Sequence, residues 1–231
     1  MENELTQYKE IQRSLIKTYR SVIWYNFIKA LKEYNLLEIK DKVLIIIDFS
    51  KESLVTAMLF SELMRHSDFE FEVENVCLDS DKEYFYLLDH LNINYVTISN
   101  YDDIINLYPS SKVVSFDCYD DQVETTLENM LCNGTFKTIL PKDENKGYVT
   151  IRPLYQVRLK DINRWAKFTI IDFKESVISE NKSFCRSLVE RMLTYNSNST
   201  KNIFKSVNNI YVHKILGYYK GGKKHSFLDD F

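Results

Sequence analysis

Residues 43–47, Val-Leu-Ile-Ile-Ile, form an unbroken apolar and mostly β-branched run between Lys40-Asp41-Lys42 and Asp48. A strand with one wet face alternates polar and apolar residues, so this run reads as a strand covered on both faces. The next residues are Asp48-Phe49-Ser50-Lys51-Glu52-Ser53, followed by Leu54, Met58, Leu59 and Leu63 on one side of a helical period. Ser50 or Ser53 can cap that helix. Strand, tight turn and helix in this order form the corner where α/β proteins bind phosphate. Yet the first glycine of the chain is Gly134. A turn that usually needs bare backbone is therefore built entirely from residues that carry a Cβ.

The pattern around this corner repeats. Glu2–Leu37 is helical, with Ile11, Leu15, Tyr19, Ile23, Phe27 and Leu31 at three- and four-residue steps. After the first α/β corner come expected strands at Phe69–Leu78, Asn94–Ile98, Lys112–Phe116 and Phe136–Leu140, and an extended piece at Tyr148–Arg152. Helices are expected at Lys82–His90, after Tyr101 and from about Asp120 to Leu131. Strands alternating with helices predict an α/β fold, a doubly wound and mainly parallel sheet of about five strands with N-terminal and C-terminal helical extensions. The boundaries this suggests are an N-terminal helical segment (1–40), an α/β domain (41–175), a C-terminal helical extension (176–217) with a last helix reaching Leu216, and a flexible tail (218–231). Asp48–Ser53, Asp79-Ser80 and Asp117–Asp121 all fall at carboxyl ends of strands, where such sheets bind ligands.

Composition narrows the function classes. The 231 residues are 45% apolar and 27% charged, with no run long enough to span a bilayer and no secretory leader, so a cytoplasmic protein with no membrane partner is expected. A net charge of −3 lacks the basic excess of a free-standing nucleic-acid binder, leaving room only for a local basic face. Cys77, Cys118, Cys132 and Cys185 form no CxxC pair, which predicts neither a zinc site nor a disulfide framework.

Several stretches, in order, resemble the PP-loop ATP pyrophosphatase group and, within it, the tRNA 2-thiocytidine synthetase (TtcA) family. Val43–Val55 lies where that family has a strand, its SGGxDS loop and a helix. Asp120-Asp121-Gln122-Val123-Glu124-Thr125 is similar to its DDxxET helix, and Ile151-Arg152-Pro153-Leu154 to its RPL segment. Arg186, Met192-Leu193 and Asn202-Ile203-Phe204 resemble its C-terminal helices. The resemblance runs from about Ile16 to about Leu216. It implies ATP and magnesium as ligands, tRNA as a partner and a homodimer.

The departures are as systematic as the matches. Asp48, Phe49, Ser50, Lys51, Glu52 and Ser53 stand against SGGxDS, so both glycines are gone and a carboxylate opens the loop. Phe116-Asp117-Cys118 replaces GHH. The interval Asp103–Lys112 is too short for the family's CxxC loop, and Asp172-Phe173-Lys174-Glu175-Ser176 holds no third cluster cysteine. No iron–sulfur cluster and no other resident metal is therefore expected. A phenylalanine Cβ and ring at position 49 would limit how closely a phosphate approaches the backbone, and Asp48 would repel it.

The residues expected to meet a nucleotide are Asp48, Ser50, Lys51, Ser53 and Asp121, with Arg152 as the candidate RNA contact and no residue assigned to catalysis. Each has a plainer reading: a capped turn, a solvated acidic first helical turn, and an arginine paired with an acidic neighbour. Lys220–Lys224 with His225 reads either as an RNA-phosphate contact or as a solvated tail. Three functions stand at this point: a degenerate PP-loop protein that binds nucleotide or tRNA with impaired thiolation chemistry, an active ATP-dependent tRNA-modifying enzyme with a reorganised site, or a structural partner.

Overall fold

The computed structural model describes residues 2–101, 104, 107–109, 111–145, 148–175 and 177–230. The N-terminal segment is helical: α1 (Glu2–Ile16), a π turn at Arg20–Trp24 and α2 (Tyr25–Glu33). The apolar run becomes β1 (Lys42–Ile47), and α3 (Lys51–His66) follows it after three residues. Then come β2 (Glu72–Leu78), a 3₁₀ turn (Asp79–Tyr84), α4 (Phe85–His90), β3 (Val96–Ile98) and β4 (Lys112–Val114). Much of the helix expected after Tyr101 lies outside the described residues.

The remaining elements are α5 (Tyr119–Leu131), β5 (Lys142–Asn145), β6 (Tyr148–Ile151), α6 (Leu159–Thr169), α7 (Glu180–Tyr195), α8 (Ser199–Ser206), β7 (Gly217–Lys220) and β8 (Lys223–Ser226). The main sheet has the order β3-β2-β1-β4-β6-β5 and is parallel except for the β5–β6 pair. It is a doubly wound α/β sheet of six strands rather than five. β1 is central, bonded to β2 from Lys42↔Glu72 to Ile47↔Cys77 and to β4 at Val43↔Lys112.

Both faces of β1 are covered, as an unbroken apolar run requires. Val43, Ile45 and Ile47 join the main core with α3, whereas Leu44 points to a second cluster with Val76, Ile98 and Ile104. α3 is buried over most of its circumference: Leu54, Val55, Met58, Leu59 and Phe60 are all at most 2% exposed. It packs against α1, α6 and the sheet, and Phe60 meets Phe27 edge-on at 5.4 Å. A third cluster joins α5 and α7 through Tyr119, Val123, Leu127, Cys185 and Val189, with Phe204 of α8 stacked on Tyr119 at 4.5 Å.

Two expectations are corrected. Residues 136–140 are not a strand. The carbonyls of Lys137, Ile139 and Leu140 accept instead from the side chains of Asn129, Tyr155 and Arg152, which ties this segment to neighbouring side chains rather than to a ladder. The strand of this region lies further on, as β5 at the charged edge segment Lys142–Asn145. The last helix ends at Ser206, not Leu216. Residues 217–226 form the β7–β8 hairpin.

Candidate functional site

The sheet order reverses between β1 and β4, and the loops leaving these strands open a cleft of about 670 Å³. Asp48, Ser50, Lys51 and Glu52 line it from the β1–α3 turn, Phe116, Asp117 and Asp121 from the β4–α5 turn, and Lys174, Glu175, Lys182 and Arg186 from the far wall.

The β1–α3 turn closes on itself. Ser50 is the N-cap of α3, and its Oγ accepts from Ser53 N–H at 3.2 Å. Asp48 Oδ1 accepts twice from Ser50: from its N–H at 3.0 Å and from its hydroxyl at 2.6 Å. An amide and a hydroxyl that could face an anion thus already hold one belonging to the chain. Phe49 between them has φ of 63°, the left-handed conformation that favours glycine. Its ring is fully buried, stacked on Tyr84 at 5.5 Å and near Phe85 at 6.0 Å. The expectation that this ring would crowd a phosphate is therefore corrected, because it turns into the core and does not line the cleft. The side chains that this turn presents to the cleft include the Asp48 carboxylate.

The carboxylates of the α5 motif are also engaged. Asp120 Oδ2 accepts from Leu159 N–H at 2.7 Å, which ties the start of α6 to α5. Asp121 Oδ2 accepts from Cys118 N–H at 2.9 Å, as in a capping box, while Oδ1 meets Lys182 Nζ at 2.5 Å. Glu124 takes a two-pronged bond from Arg186, at 2.8 and 3.0 Å. Burial pushes the carboxyls of Asp120 and Glu124 up. Burial also works against ionisation of Asp121, but the adjacent Lys182 ammonium and the Cys118 amide outweigh it and hold Asp121 below its ordinary value. Burial alone would lower Lys182, yet Asp121 raises it, so this pair is ionised.

Asp117 Oδ2 receives the Ser115 hydroxyl at 2.7 Å and Arg152 Nε at 2.9 Å. Lys174 Nζ sits 2.6 Å from Asp81 Oδ1 and over the Tyr84 ring. Lys51 is the cleft cation with the weakest tie, 3.9 Å from Glu52. Burial raises the Glu52 carboxyl above its ordinary value.

Asp48, Ser50, Lys51 and Asp121 thus meet in one cleft. Ser53 lies outside it, fully buried with its hydroxyl on Ser50 C=O at 3.0 Å. Arg152 lies outside as well, binding Asp117 and the Leu140 carbonyl. Sequence reasoning missed Lys182 as a site residue and assigned Arg186 no role there. The available signal was two basic residues spaced i, i+4 on one helix against Asp121 and Glu124 spaced i, i+3 on another.

A metal or cluster finds little here. Among the described residues, no group of three or more His, Cys, Asp or Glu side chains is arranged to hold a metal ion. Cys77 and Cys118 are buried in the main core, Cys185 lies between α5 and α7, and Cys132 is exposed. Burial drives the Cys77 thiol up to about 12. These thiols do not fit the ligand set of an iron–sulfur cluster. No helix among the described residues is long and apolar enough to cross a membrane.

No family model matches the chain. Curated relatives are similar over most of it. A tRNA-cytidine(32) 2-sulfurtransferase of Albidiferax ferrireducens is 24% identical over 71% of this chain and 60% of its own length. The enzymes of the same name from Pseudomonas fluorescens (strain Pf0-1) and Coxiella burnetii (strain CbuG_Q212) are 25% and 23% identical, each over 79% of this chain and over 81% and 87% of their own. The chain thus spans about three-fifths of the first relative's length and over four-fifths of the other two. Among solved structures, the U34-tRNA thiolase NcsA from Methanococcus maripaludis with its [4Fe-4S] cluster superposes with a TM-score of 0.61 at 14% identity, covering 84% of this chain and 80% of that one. The chain has the fold of the PP-loop group, and its sequence resembles the tRNA-cytidine sulfurtransferases within that group.

Proposed function

We propose that this chain is a cytoplasmic PP-loop-type protein of the tRNA-modifying kind that works as a binding or partner protein, with adenylation and thiolation chemistry impaired or lost. Asp48 carries the reading. Its carboxylate occupies the amide and hydroxyl of Ser50, and a phosphate oxygen would have to displace it while meeting its charge. At an effective dielectric of about 20, two like unit charges 5 Å apart repel by about 3 kcal/mol. The charges deeper in the cleft do not offset this, because Lys182, Arg186 and Lys174 are paired with Asp121, Glu124 and Asp81. Among the described residues of the cleft, Lys51 is the cation least engaged, 3.9 Å from Glu52. The cysteines do not fit a cluster, so this reading includes no cluster-borne sulfur transfer. tRNA binding belongs to the same reading and is supported by the names of the relatives, whereas a homodimer is only what the family resemblance implies.

The test is titration of the purified protein with ATP and magnesium by calorimetry, with AMP and pyrophosphate measured after addition of tRNA. The proposal expects neither binding in the micromolar range nor product. An enzymatic reading draws on one observation: Phe49 keeps the left-handed backbone of a phosphate-binding turn, with Lys51 beside it. Product formation that disappears in Asp121→Ala would establish that reading and refute the proposal.

A further inference from the structure

The acidic residues of this chain stop at Glu190 and resume only at Asp229. Between them lie Arg191, Lys201, Lys205, Lys214, Lys220, Lys223 and Lys224, seven cations with no anion, in a chain whose net charge is −3. Three of the seven fall in the β7–β8 hairpin. Its turn is Gly221-Gly222, with φ of 57° and 76°. Both values are positive, as a two-residue turn matching the strand twist requires. Gly217 at its base is equally constrained, since a Cβ there would lie 2.7 Å from the His225 carbonyl oxygen.

The register sets Tyr218 opposite His225, Tyr219 opposite Lys224 and Lys220 opposite Lys223. Alternation along each strand then gives two faces. One carries Lys220 and Lys223 beside the Tyr218–His225 pair, whose rings stack at 4.9 Å and 13°. The other carries Tyr219 and Lys224, with Tyr219 72% exposed. All four residues of β7 are exposed, so the ribbon stands largely in solvent. Among the described residues, Lys220, Lys223 and Lys224 make no ion pair. A two-stranded ribbon with so little cover is marginal alone, and Tyr219 is left largely in solvent. Lysines interleaved with flat rings match a strand that alternates phosphates with unpaired bases.

We infer that the β7–β8 hairpin is a docking surface for an unpaired nucleic-acid strand, with Lys220, Lys223 and Lys224 on its phosphates and Tyr219 stacked on a base. The inference goes beyond the reading of the cleft and does not depend on whether the cleft binds ATP. The chemistry is shared by RNA and DNA, and the arms of the test separate them.

The experiment measures anisotropy of labelled single-stranded RNA, single-stranded DNA of the same sequence and the RNA duplex, with heparin as a polyanion control, over a salt series. The wild type should bind a single strand more tightly than the duplex, and the stronger of the two single strands identifies the source. Replacing Lys220, Lys223 and Lys224 together by Ala should weaken binding by about tenfold or more at moderate salt. It should also flatten the log–log salt slope by roughly 2, about 0.7 per lost phosphate contact. The corresponding triple Arg variant should retain binding, and removing Lys9, Lys29 and Lys32 instead should leave it unchanged. Tyr219→Ala should lose about tenfold on the single strand and nothing on heparin. Unaltered thermal midpoints would show that these variants fold. Equal affinity for duplex and single strand, indifference to Tyr219→Ala, or wild-type binding by the triple Ala variant would each overturn the inference, and none would bear on ATP.

Discussion

Phe49 should be worth more to the fold as a ring than its backbone conformation costs. Replacing it with glycine relieves a left-handed residue, a gain of about 1–2 kcal/mol, offset in part by the greater freedom of glycine in the unfolded chain, about 0.5–1 kcal/mol. Against this stands the loss of a fully buried phenylalanine stacked between Tyr84 and Phe85. Such a deletion costs about 3–5 kcal/mol once the cavity is included. The net is a destabilisation of roughly 1.5–5 kcal/mol. For a chain of this size that lowers the thermal midpoint by roughly 3–20 °C. Thermal unfolding followed by circular dichroism, with urea unfolding at constant temperature, gives both numbers. An unchanged or raised midpoint in Phe49→Gly would refute the packing argument. The turn would then be held by its hydrogen bonds, and its unusual residue would need another explanation.

Two further outcomes follow from the cleft. Glu52 is raised by burial, so its ionised form is penalised in the folded state at neutral pH and the penalty vanishes below the ordinary glutamate range. Glu52→Gln should therefore be more stable than the wild type near pH 7, with the advantage shrinking as pH falls through the raised pKa and gone below about 4.5, as denaturant unfolding across pH would show. Asp121→Ala strands the Lys182 ammonium. With the pair's side chains 14% and 25% exposed, the loss should be about 1–3 kcal/mol, short of the 3–5 of a sealed pair. Asp121→Ala combined with Lys182→Met should recover part of it in a double-mutant cycle.

Much of the fold was legible because its signals are local and strong. The apolar run at 43–47 announces a strand with two covered faces, and the Asp48–Ser53 turn with its serine cap announces the helix behind it. Residues 136–140 misled because Phe136, Ile139 and Leu140 look like strand material. Their carbonyls are claimed instead by Asn129, Arg152 and Tyr155, the last two more than ten residues away along the chain. The site was half legible. Position relative to β1 and β4 brought Asp48, Ser50, Lys51 and Asp121 together, but side-chain direction decided the rest. Nothing in a one-dimensional pattern indicates that Phe49 turns inward or that Ser53 closes on Ser50, and the spacing of Lys182 and Arg186 against Asp121 and Glu124 was a signal left unread.

The most direct measurement is the affinity of magnesium–ATP for the wild type and for Asp48→Ala, taken side by side by calorimetry. If Asp48 holds the place of the anion, the wild type gives no saturable heat in the micromolar range, and removing the carboxylate frees Ser50 and tightens binding by at least about tenfold. Micromolar binding by the wild type, weakened or unaltered in Asp48→Ala, would contradict it.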